Sequence, residues 1–195
     1  MAYEYDLFIS YRRRDSVADW VRLHLRPRLE QSLYDHLPHD PKIWIDVEQA
    51  EGVDWRENLT KGLTRSKLLL PVWSPDYFRS EYCMAEWVSM RKRQELLQQE
   101  SIQLPPSLVY PVKYSDGNHY HKDAKAIECK KDFSSLNYPY QTFKDSARYM
   151  QFHDLVDQIA VELTVWLALI PDWREDWPIE TPAPMDPVTS ERPEI

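Results

Sequence analysis

Four short apolar runs limit what this chain can fold into: YDLFISY (5–11), KIWID (42–46), KLLLPVW (67–73) and SLVYPVKY (107–114). Near-continuous runs of this length read as strands buried on both faces. The segments between them have helical spacing. Val17, Trp20, Val21, Leu25 and Leu29 mark one helix, and Trp55, Leu59 and Leu63 a second. A third opens after SPDYFRS, with Ser80 as its expected N-cap, and Asp15 or Ser16 is expected to cap the first. Phe152, Leu155, Val156, Ile159, Leu163, Trp166, Leu167 and Ile170 give the i, i+3, i+4, i+7 repeat of a long one-sided helix. AIECKKDF (126–133) reads as a fifth, edge-like strand, and Pro111 falls near the end of the fourth. Strand and helix in alternation imply a three-layer α/β domain on a parallel sheet.

The 195 residues suit one domain, placed at 1–170. After Ile170 prolines and acids dominate, so 171–195 is expected to be a disordered or loosely docked tail. With 24 Lys+Arg against 32 Asp+Glu the net charge is -8, which argues against nonspecific nucleic-acid binding. The start lacks the basic and apolar regions of a signal peptide, and acids interrupt the most apolar late stretch, so no membrane span is expected. Two cysteines, Cys83 and Cys129, form no metal or disulfide pattern and fit a reducing, cytoplasmic compartment. Only 3 glycines are present, so neither GxGxxG nor a Walker loop can be written. Any bound nucleotide must be gripped by side chains. The 8 Trp and 12 Tyr exceed what a small core needs, so some are expected to line a groove.

In open parallel sheets ligands bind beyond the carboxyl ends of the strands, where strand order reverses. Those ends are at Ser10–Arg13 and at Trp73 and Ser74, and the helix carrying Glu86 begins just after the second. Glu86 is the sole charge between Glu81 and Arg91, and its helical neighbours are Tyr82, Cys83, Ser89 and Met90. Three readings are open for it: a partly desolvated carboxylate that works on a ligand, an acid favouring the helix N-terminus, or an ion-pair partner for the arginines. Glu81 fills the second role better. Arg12, Arg13 and Arg14 read either as a solvated basic turn or as a diphosphate clamp through bidentate contacts. Asp46 and Glu51 flank the next loop, as turn acids or as partners of ribose hydroxyls. His119 and His121 lie near Asp116 and Asp123, but the spacing matches no metal site. Cys83 reads as a core cysteine. A phospho-receiver needs an Asp ending the third strand, and LLLPVWS has none.

In order and spacing, YDLFISYRRRDS, IWIDVEQAEGVDWRENL and SKLLLPVWSPDYFRSEYCMAEW resemble the Toll/interleukin-1 receptor (TIR) domain, most closely its NAD-cleaving branch. The resemblance implies a flavodoxin-like fold with a five-stranded parallel sheet. It also implies cleavage of the nicotinamide–ribose bond of NAD, which is substrate and not cofactor. Glu86 is then the catalytic carboxylate, with Arg12, Arg13, Ser10, Glu51 and Tyr82 on the dinucleotide and no metal. Tyr82 stands where the family usually has Trp, and Gly52 falls in a loop the family uses for self-assembly. The products implied are nicotinamide with ADP-ribose or a cyclic ADP-ribose isomer. Standalone bacterial members suggest antiviral defence, self-association or docking to other TIR domains, and a downstream effector that senses the product. The alternative is a non-catalytic TIR scaffold.

Overall fold

β1 (Tyr5–Ser10) runs parallel between β2 (Ile43–Ile45) and β3 (Ser66–Trp73), and β4 (Val112–Lys113) lies beyond β3, giving the order β2-β1-β3-β4. The computed structural model describes residues 2–45, 55–100, 102–115, 117, 120, 124, 129 and 131–180, with backbone alone for 55–59. Leu7 of β1 stands opposite Ile43 and Leu68. Leu7, Phe8, Ile9, Leu68, Leu69 and Leu70 are fully buried, as double-faced strands require.

The helices are α1 (Asp15–Trp20), α2 (Arg26–Tyr34), α3 (Trp55–Thr64), α4 (Glu81–Gln99) and α5 (Arg148–Leu167). A π-helical turn, Val21–Leu25, joins α1 to α2. Pro27 explains it: proline brings no N–H and its ring crowds the carbonyl one turn back, so the spiral widens there. The expected apolar face survives, with Val17, Trp20, Val21, Leu25 and Leu29 all buried. The strand order makes α1 and α2 cross one face and α3 and α4 the other, since such crossovers are right-handed. α5 packs on α2, which completes the three layers.

Two sequence expectations change. Neither Asp15 nor Ser16 caps α1: Asp15 takes a left-handed backbone (φ 58°), and the cap position falls on Arg14 without a side-chain bond. An aspartate tolerates that conformation better than most side chains. The fourth strand is shorter than expected. Val109 bridges Leu69, but Pro111 cannot donate to the ladder, and regular pairing covers Val112 and Lys113 alone. At the fifth position, among the described residues, a parallel bridge joins Asp132 to Lys113.

Residues 171–180, which the sequence places in a tail, have no helix or strand but pack on the body. Trp177 is buried, and Trp173 Nε1 donates to the Thr64 carbonyl at the end of α3 (3.0 Å). Residues 181–195 lie outside the described residues. No helix among the described residues is long and apolar enough to cross a membrane.

Candidate functional site

The cleft forms where β1 and β3 end side by side, with Ser10 in register with Pro71. Ser10 is the last residue of β1 and points its hydroxyl into the gap before α4. Ser80 caps α4, its Oγ accepting from the Cys83 backbone N–H at 3.4 Å. The cap lets the helix start abruptly, so Glu86 sits in the second turn, directly across from Ser10. The Ser10 hydroxyl donates to the Glu86 carboxylate. It also lies 3.1 Å from the Tyr77 phenol oxygen, and that phenol donates to the Cys83 carbonyl at 3.1 Å.

Glu86 is 7% exposed and Ser10 2%. Removing a carboxylate from water costs several kcal/mol unless hydrogen bonds and opposite charge offset it. Here Ser10 offers a hydroxyl and three arginines stand close. The cavity, about 400 Å³, is lined among others by Ser10, Arg12, Arg13, Arg14, Tyr82 and Glu86. Its volume lies within the usual range of small-molecule sites. Arg12 is half-buried and donates from Nη1 to Ser80 Oγ (3.3 Å), which pins the turn after β1 to the start of α4. Arg13 and Arg14 are exposed along the rim. A small acid-floored, arginine-rimmed cleft suits a ligand that is anionic at one end and becomes cationic at the other.

Two groups near Glu86 resist ionisation. Burial, with the Glu86 charge second, pushes the Cys83 thiol up to about 12, so it is an inert core thiol as expected. Burial also raises the Tyr77 phenol well above its ordinary value. Cys83 and Tyr77 therefore act as neutral neighbours.

Of the expected site residues, Ser10, Arg12, Arg13, Tyr82 and Glu86 meet in the one cavity. Asp46, Glu51 and Gly52 lie outside the described residues, as do His119, His121, Asp116 and Asp123. Among the described residues no group of three or more His, Cys, Asp or Glu is placed to hold a metal. Tyr77 is the partner the sequence did not reveal. It lies in a polar turn, and no periodicity marks it as the buried prop of the Ser10–Glu86 pair. The aromatic surplus divides unevenly. Trp73, Phe78, Trp87 and Tyr120 pack together with ring centroids 5.1 to 6.0 Å apart as core, while Tyr82 faces the cleft. A larger cavity of about 550 Å³ lies on the far flank of α4, between Gln94, Tyr110 and Trp166, and shares no residue with the cleft. Its main acid, Glu162, is already held by Lys131 (2.7 Å) and Tyr110 (2.6 Å).

A family model for the TIR domain matches residues 7–135, well over half of the chain. The chain belongs to the TIR domain family. The matched span of this TIR domain includes most of β1, the arginine turn, Ser80 and Glu86. Among solved structures it is similar to the TIR domain of the Toll-related receptor TRR-2 from Hydra magnipapillata. The identity is 18%, over 77% of this chain and 98% of that one, with a TM-score of 0.47. It is also similar to the TIR domains of the activated Roq1 resistosome that recognises the pathogen effector XopQ. There the identity is 19%, over 86% of each chain, with a TM-score of 0.36. Both TM-scores are low, and the family assignment rests on the family model. No curated protein sequence gives a significant match.

Proposed function

We propose that this TIR domain cleaves the nicotinamide–ribose bond of NAD, with Glu86 as the catalytic carboxylate. One observation carries the reading: a buried glutamate, held by Ser10, at the floor of a cleft rimmed by Arg12, Arg13 and Arg14. A glutamate that only favoured the helix N-terminus would gain nothing from burial.

The chemistry follows from charge. The nicotinamide of NAD is a cationic pyridinium, and it leaves as a neutral molecule carrying the electron pair of the C–N bond. No acid need protonate it. Positive charge then develops on the ribose, and the Glu86 carboxylate stabilises that charge and holds the sugar hydroxyls. Ser10 fixes the carboxylate, so little reorganisation is needed as the bond breaks. Arg12 and Arg13 hold the diphosphate by charge-assisted bonds. Tyr82 covers the sugar end. Water captures the ribosyl carbon to give ADP-ribose and a proton. Where water is excluded, the adenine captures it intramolecularly to give a cyclic isomer. Glu51 is assigned to the ribose side of the same site, and self-association to completion of the pocket. The proposed cellular setting is cytoplasmic antiviral signalling, in which a partner senses the product.

Incubation with NAD and chromatographic assay of nicotinamide tests the reading. Release is expected, rising faster than linearly with protein concentration. Absence of nicotinamide at high protein concentration would leave this TIR domain a scaffold that works by docking.

A further inference from the structure

We infer that residues 171–180 form a strap that positions the helix carrying Glu86, acting through Trp177, Arg93 and Ser89. The inference rests on the reading of Glu86 given above. The family match ends at residue 135, so it does not cover the strap.

The strap begins at the bottom of the sheet. Trp173 bonds the Thr64 carbonyl there, under the Arg65 guanidinium, which lies 4.4 Å from its ring centre. The chain then climbs α4. Arg174 pairs with Glu100 at the helix C-cap. Trp177, 6% exposed, stands 4.8 Å from the Arg93 guanidinium. Glu180 donates its backbone N–H to Ser89 Oγ (2.8 Å), and its carboxylate pairs with Lys92. Contacts thus run from the C-cap of α4 to within one turn of Glu86.

Two of these contacts bear on where Glu86 sits. Arg93 is 1% exposed, and it donates to the carbonyls of Ser66 (2.8 Å) and Leu63 (3.1 Å), which lock α4 to the junction of α3 and β3. Burial lowers its pKa to about 10, so it still carries its charge at neutral pH. A buried guanidinium is costly without compensation, and the Trp177 face is part of what it has. Ser89 Oγ donates to the Ala85 carbonyl (2.7 Å), one residue before Glu86. The strap's last bond therefore lands on a hydroxyl that holds the same helical turn as Glu86.

The test uses the full chain with Cys129→Ser, so that Cys83 is the one thiol. Cys83 is 5% exposed and three residues before Glu86, so its alkylation rate reports release of the start of α4. Trp177→Ala is expected to raise that rate at least about tenfold through local opening. It is also expected to lower kcat about tenfold or more with KM within about twofold, because a misplaced group costs rate before it costs binding. Trp177→Phe should restore both, and Ser89→Ala should move both in the same direction by less. If Trp177→Ala loses its helical circular dichroism, Ser89→Ala decides by the same two readouts. An unchanged Cys83 rate in a folded variant overturns the strap, whatever happens to kcat. A raised rate with unchanged kcat overturns the positioning role. A raised rate in a protein whose wild type never releases nicotinamide keeps the strap's hold on α4 and removes the functional reading.

Discussion

Ser10 and Tyr77 have different shares in holding Glu86, and substitution separates them. Ser10 donates to the carboxylate itself, whereas Tyr77 lies one hydroxyl further out, on the Cys83 carbonyl. A hydrogen bond to a charged group is worth about 1.5–3 kcal/mol, so Ser10→Ala should lower kcat/KM for NAD by about 10- to 100-fold. Tyr77→Phe should cost about 1 kcal/mol in urea unfolding, with a smaller loss of rate. Equal rate losses in the two variants would contradict this order. At this scale the sequence was legible where a residue type carries its own chemistry. Glu86 stood out as one charge in an apolar helix, and Arg12–Arg14 as a charge run at a strand end. Tyr77 did not stand out, because its part comes from a contact across the chain that no local pattern encodes.

α3 shows how an element is fixed by what lies beneath it. Gly62 faces Trp44 of β2, and a Cβ there would stand 2.6 Å from the indole ring. Helix propensity alone predicts that Gly62→Ala stabilises by about 1 kcal/mol. Overpacking against a ring costs about 1–3 kcal/mol, and it should win. Thermal melting should therefore show a loss, and a rise in melting temperature would contradict the close approach. The elements themselves were readable from periodicity, since α1 and α5 carry their buried residues where the apolar spacing put them. What the pattern missed is set by backbone chemistry. Pro27 turns part of one helix into a π-turn, Pro111 cuts β4 short, and the left-handed Asp15 moves a cap.

Across the whole molecule, one buried carboxylate ties the lower ends of three elements together. Asp6 accepts from Lys67 Nζ (2.8 Å) and from the Lys42 N–H (3.0 Å), and His39 Nε2 lies 3.1 Å away. Burial alone would raise its pKa, but these partners outweigh burial and hold it below the ordinary 3.8. A depressed carboxyl contributes stability that is complete above the ordinary value and is lost as pH falls below 3.8 through the lower folded value. A fall in stability below about pH 4 is therefore expected in denaturant titrations, and Asp6→Asn should flatten it. Parallel wild-type and variant curves would contradict the linkage. The doubly wound topology was legible because alternation and the crossover rule leave few arrangements. The strap's contacts were not, because Trp173 and Trp177 sit among prolines and acids that read as a disordered or loosely docked tail. Their docking depends on the Thr64 carbonyl and the Arg65 and Arg93 guanidiniums, which come together only once the domain has folded. The proposed role of Glu86 is to do the chemistry at the end of that sheet. It is tested most directly by nicotinamide release from NAD by the wild type and by Glu86→Gln, which keeps the shape and removes the charge. Glu86→Gln should lower kcat at least about 100-fold with the fold intact. Undiminished release by Glu86→Gln would contradict it.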